Sequence, residues 1–159
     1  HDCMENIMQG MPKVAGEHVN FSTLQLNMAP RWVQVPHYFP ERLVQTNDKE
    51  KAVAFYAELL GELGAKQLFN NENLVFFGID MATPMIAVGT PFDGEAATNG
   101  NGTMLAIPVG SRENVDKIYA KALALGATDE GAPGDRSPGF YGGYVRDFDR
   151  NKLTICHMG

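Results

Sequence analysis

Two stretches of the chain carry apolar residues at helical spacing, and they nearly repeat each other. The first, NDKEKAVAFYAELLGELGA from Asn47 to Ala65, places Ala52, Phe55, Tyr56, Leu59, Leu60 and Leu63 on one stripe. Asp48 precedes it as an N-cap and Gly64 follows it as a stop, so a helix over 49–63 is expected. The second, GSRENVDKIYAKALALGA from Gly110 to Ala127, has Val115, Ile118, Tyr119 and Ala122 on its stripe, Ser111 as cap and Gly126 as stop. Aligning Tyr56 with Tyr119 matches Asp48 to Ser111, Glu50 to Glu113, Phe55 to Ile118 and Leu60 to Leu123. Such a duplication predicts two equivalent modules that pair and enclose a cleft.

Short apolar runs bounded by turn residues surround each helix. In the first half they are Arg42–Thr46, Lys66–Phe69, Leu74–Ile79 and Met85–Val88, split by Asn70-Asn71 and Thr83-Pro84. In the second they are Thr103–Val109, a brief Ala127–Asp129, Phe140–Arg146 and Lys152–His157. Both halves therefore read βαβββ, joined by the polar, glycine-rich linker 90–102. The segment GAPGDRSPG, Gly131 to Gly139, reads as a loop suited to an entrance flap. Side chains alternate along a strand, so Phe76 and Phe77 must face opposite ways, as must Tyr141 and Tyr144. Phe76 and Tyr141 are taken as the inward members of those pairs.

Residues 1–38 stand outside the repeat as an N-terminal extension. Met4, Ile7, Met8 and Met11 suggest a short helix; Val19, Phe21, Leu24, Leu26 and Met28 suggest an extended segment. Pro30, Pro36 and Pro40 punctuate the approach to the first module. The chain opens on His1, so residues 1–3 are expected to be an added remnant and Met4 the native start. The arm's apolar residues need cover, either from the chain's own cleft or from a partner chain. Trp32, the sole tryptophan, could lid the cleft or pack at an interface.

Composition narrows the function. A net charge of −6 and a pI near 5.1, with the 13 Lys and Arg scattered, argue against nucleic acid as a partner. No apolar run reaches the roughly 20 residues of a membrane span. The cysteines, Cys3 and Cys156, lie at opposite ends, which suggests a reducing cytoplasm rather than a disulfide scaffold.

The capped helix with KAVAFY and LG, its second copy, and the closing GFYGGYVRDFDRNKLTI together resemble the vicinal oxygen chelate superfamily: glyoxalase I, bleomycin-resistance proteins and extradiol dioxygenases. The last stretch is similar to that family's closing hairpin around an R-D-P-D-G-N turn. The resemblance spans about residues 39–157. It implies an α+β fold of two paired βαβββ modules, about 39–90 and 102–159 of a domain 39–159, with curved mixed sheets enclosing a cavity. It also implies a divalent metal held by His or Glu on the first strand of each module and Glu on a last strand. In this chain those positions fall on Glu41, Met104 and Thr154, and strand 84–88 offers no ligand. Glu41 is thus the one metal candidate, and a lone carboxylate does not hold a cation tightly. His18 and His37 lie in the arm, and alternation turns His157 away from Thr154.

The expected function is accordingly that of a cytoplasmic homodimer binding a small, mostly apolar organic molecule, with no metal or other cofactor. The bleomycin-resistance proteins, which sequester a ligand without chemistry, set the precedent. The alternative is a metal-dependent lyase, isomerase or dioxygenase with unusual ligands. The residues expected at the ligand are Glu41, Leu43, Gln45, Phe76, Met104, Ala106, Tyr141, Thr154, Cys156 and Trp32. Counting Glu41 alone among charges, a neutral or weakly cationic ligand is expected. Cys156 is expected to be an inert buried thiol, and Arg146 a structural partner of the 147–149 turn or, alternatively, a contact for an anionic ligand.

Overall fold

Asp48 and Ser111 open the two helices as their sequence positions require. The Asp48 carboxylate accepts from Lys51 N at 3.0 Å, and the Ser111 hydroxyl accepts from Asn114 N at 3.2 Å. The computed structural model describes residues 41–100 and 102–159, and for Glu41 the backbone only. The expected arm, with its helix, its extended segment and Trp32, lies outside the described residues.

In chain order the elements are β1 (Glu41–Gln45), α1 (Lys49–Gly61), β2 (Lys66–Asn70), β3 (Leu74–Gly78) and β4 (Met85–Gly89). Then follow β5 (Leu105–Pro108), α2 (Arg112–Ala124), β6 (Thr128–Ser137), β7 (Phe140–Arg146) and β8 (Lys152–Met158). Two four-stranded sheets result, ordered β1-β4-β3-β2 and β5-β8-β7-β6. In each, the first strand runs parallel to the last and the other pairs are antiparallel. This is the paired βαβββ arrangement expected, an α+β fold of two mixed sheets and two helices.

One core joins the modules. Phe55, Tyr56 and Leu59 of α1 meet Val115 and Ile118 of α2, together with Val44, Phe77 and Val88 from one sheet and Ile107, Val145, Leu153 and Ile155 from the other. Each sheet therefore has a helix face and an open face.

The turn between β7 and β8 clamps one module to the other. Buried Asp147 accepts from Tyr56 OH at 2.7 Å and from Asn151 N and Nδ2 at 2.8 and 2.9 Å. Asn151 Nδ2 also donates to Gln45 O at 3.0 Å, and Asp149 accepts from Thr46 Oγ1 and from Asn47 N. Arg150 stands where the R-D-P-D-G-N turn that this hairpin resembles has glycine, and it adopts a positive φ of 68°.

The expected loop 131–139 is corrected. Residues 128–137 form a full strand, β6, along the sheet edge. Register shifts absorb its glycines and proline, so Pro133 falls where no ladder hydrogen bond is demanded of it. Arg136 adds support by donating from Nε to Gly142 O at 3.2 Å and from Nη2 to Ala132 O.

Candidate functional site

Alternation and register together decide which side chains share the open faces. In the first sheet Leu43, Ala87, Phe76 and Phe69 form one row across β1, β4, β3 and β2. Phe69 and Phe76 stack with centroids 4.2 Å apart, and Phe76, Met85 and Ala87 form a second apolar cluster with Leu68, Phe69 and Leu74. Phe76 is thus on the face expected of it and Phe77 on the helix face, but Phe76 is buried under its own neighbours.

In the second sheet the corresponding row is Ala106, Thr154, Tyr144 and Gly131. Tyr141 is corrected: it lies on the helix face, where its hydroxyl donates to Asp116 of α2 at 2.8 Å and Arg112 sits over its ring. Tyr144 takes the open face instead. Alternation alone puts the two tyrosines on opposite faces without saying which of them is inward. The deciding signal was Val145, whose register with Leu153 fixes the parity of the whole strand.

Thr154 and Cys156 do face away from the helices, with Ala106 and Pro108 beside them in register. Both are closed over, at 1% and 2% exposure, whereas Leu43 and Met104 are about half open, at 51% and 47%. Burial pushes the Cys156 thiol above the ordinary cysteine range, so it is a poor nucleophile. Thr154 Oγ1 has no hydrogen-bond partner among the described residues. Gln45 is half-buried at the module junction.

A groove of about 180 Å³ runs along the seam between β1 and β5. Its walls come from Arg42, Leu43 and Val44 on one side and from Thr103, Met104, Leu105, Asn151, Lys152 and Leu153 on the other. Two of the expected residues, Leu43 and Met104, meet there across the seam. A shallower depression of about 350 Å³ lies at the linker, with Gln45, Phe92 and Asp93 among its lining.

Beyond Thr154 the open face of the second sheet is charged, a feature the sequence reading missed. Glu130 pairs with Arg146 and, at 3.0 Å, with Lys152. Those two cations hold its carboxyl below the usual glutamate range, Arg146 contributing most. Arg146 also donates to Arg150 O at 2.7 Å, so it holds the same turn one residue beyond the expected 147–149. Tyr144 lies within cation–π range of both Arg136 and Lys152, at 5.2 and 5.5 Å.

The donor set can be compared with the metal that the resemblance implies. Met104 and Thr154 offer a thioether and a hydroxyl, a poor fit to a hard or borderline divalent cation. Among the described residues no three His, Cys, Asp or Glu side chains cluster closely enough to hold a metal.

The sequence matched no family model and no curated protein. Solved structures gave strong matches. A glyoxalase/bleomycin resistance protein from Albidiferax ferrireducens T118 is 35% identical, covering 76% of this chain and 98% of its own, with a TM-score of 0.68. A glyoxalase/bleomycin resistance protein/dioxygenase family enzyme from Burkholderia phytofirmans PsJN is 22% identical over 76% of this chain and 98% of its own, TM-score 0.63. Lactoylglutathione lyase from Agrobacterium tumefaciens is 20% identical over 77% and 95%, TM-score 0.57. The latter two speak to the fold alone. The first, with a third of its residues shared over nearly its whole length, agrees with the duplicated helices and the closing hairpin, and the chain belongs to the glyoxalase/bleomycin resistance protein family.

Proposed function

We propose that this protein binds a small, mostly apolar organic molecule in the seam groove and does so without the family's metal. The observation that carries the reading is the meeting of Leu43 and Met104, both half exposed, across the groove. Exposed apolar side chains converging from two modules leave surface that a ligand can remove from water, at about 25 cal/mol per Å². Met104 adapts to irregular shapes because its chain is unbranched. The thioether and hydroxyl at the metal positions support the metal-free part. The working form in this reading is a cytoplasmic homodimer.

The test has two arms. Elemental analysis of the purified protein should show far less than one divalent metal per chain. A thermal-shift screen of small aromatic and aliphatic compounds should raise Tm, and Met104→Trp should abolish that shift by filling the groove. About one metal per chain, lost with Glu41→Ala, would instead establish the metal-dependent alternative. A Tm shift that survives Met104→Trp would move the ligand elsewhere.

A further inference from the structure

We propose that the ligand is an anion: the seam groove takes a small organic carboxylate, with Arg42 of the first module and Lys152 of the second as its charged anchors. This rests on the ligand-binding reading above and names the chemistry of that same site.

The groove's described lining contains two cations, Arg42 and Lys152, and no carboxylate. Its other polar side chains are Thr103 and Asn151. Asn151 is already committed, donating its amide to Gln45 O and to Asp147. Arg42 forms no ion pair with any described residue. Lys152 has a partner but shares it, since Glu130 also holds Arg146. One carboxylate thus serves two cations, and the ammonium of Lys152, with a third of its side chain exposed, has a vacant share of its hydrogen bonding to offer.

Charge adds to the geometry. The chain carries a net −6, yet the groove's described lining holds Arg42 and Lys152, and next to it Arg146 and Lys152 share the one carboxylate of Glu130. A positive cleft on an acidic protein concentrates anions there. Leu43 and Met104 supply apolar wall for the rest of the molecule. The volume, about 180 Å³, is below the roughly 300–1,000 Å³ of drug-sized sites. A carboxylate on one short ring or chain fits this description better than a large anion. The sequence-based expectation of a neutral or cationic ligand counted Glu41 and lacked Arg42 and Lys152.

Benzoate, benzamide and benzylamine share one body and differ in charge, so they separate the possibilities. Calorimetric titration of the full chain at low salt should show benzoate binding at least about tenfold more tightly than benzamide, weakening as salt is added. Arg42→Met and Lys152→Met should each weaken benzoate about tenfold while keeping the wild-type circular dichroism and cooperative melt. Glu130→Gln should tighten it by releasing Lys152. Equal affinity for benzoate and benzamide overturns the anion proposal and leaves the ligand-binding reading standing. So does unchanged benzoate binding in both anchor variants. Preference for benzylamine, lost with Glu41→Gln, overturns it in favour of a cation. If no compound of any charge binds here or in the wider screen, both readings fall.

Discussion

The two modules have the same strand order, and their open faces are filled with opposite chemistry. Row for row, Leu43-Ala87-Phe76-Phe69 in the first answers Ala106-Thr154-Tyr144-Gly131 in the second. The first face packs upon itself around a stacked phenylalanine pair. The second carries one tyrosine near two cations, flanked by the Glu130 network. The aligned tyrosines diverge as well. Tyr56 reaches across to Asp147 of the other module, whereas Tyr119 bonds Asp129 of its own at 2.7 Å. A duplicated backbone thus assigns one copy to stability and leaves the other polar groups to spare. The seam between them, whose groove is lined by both Arg42 and Lys152, combines an edge of each.

The largest effect should come from unpacking the first face. Phe76→Ala removes a buried, stacked ring and should cost about 3–5 kcal/mol, against roughly 1–2 kcal/mol for Tyr144→Ala on the more open second face. Urea denaturation of the two variants reads the difference directly; equal losses would erase the distinction between the faces.

Next are the tyrosine hydroxyls. Tyr56→Phe leaves the buried Asp147 carboxylate short of a donor and should cost about 1.5–3 kcal/mol. Tyr119→Phe should cost about 0.5–1 kcal/mol, because Asp129 keeps Gly131 N as a donor and is exposed. Burial and the facing Asp129 push the Tyr119 phenol up to about 12, so it stays neutral throughout the usable pH range. A larger loss from Tyr119→Phe would reverse the assignment of the clamp.

The two acids should then give pH dependences of opposite sign. Burial raises Asp147 above the ordinary aspartate value, so the native state holds its proton more tightly than the unfolded chain. Its contribution is greatest in acid and declines as pH rises from the normal aspartate range through the raised pKa. Glu130 is lowered by Arg146 and Lys152, so its contribution is present above the normal glutamate range and is lost as pH falls through the lowered value. Stability measured from about pH 3 to pH 7 should lose the first slope in Asp147→Asn and the second in Glu130→Gln. Both slopes unchanged would mean that neither acid titrates as its surroundings require.

The smallest effect tests the turn that joins the halves. Arg150 sits at φ 68°, a conformation that costs a side chain about 1–2 kcal/mol and glycine almost nothing. After the entropy that glycine gains in the unfolded chain, Arg150→Gly should stabilise by up to about 1 kcal/mol. A lower Tm would show that the arginine side chain contributes more than its backbone loses.

Much of this is legible in the chain itself. Helical period and caps located both helices, and the repeat gave βαβββ twice, because periodicity and capping are local and survive whatever the neighbours do. The strand 128–137 was not readable: its Gly-Ala-Pro-Gly run is tolerated only at an edge, and edge position is a property of the assembled sheet. Leu43 and Met104 could be assigned to one face by counting from the repeat. That Thr154 and Cys156 are closed over, that Tyr144 replaces Tyr141, and that Arg42 and Lys152 share a groove were decided by strand register and module packing. Alternation along a strand fixes which residues share a face; only the partners across the sheet and the seam decide what that face is made of.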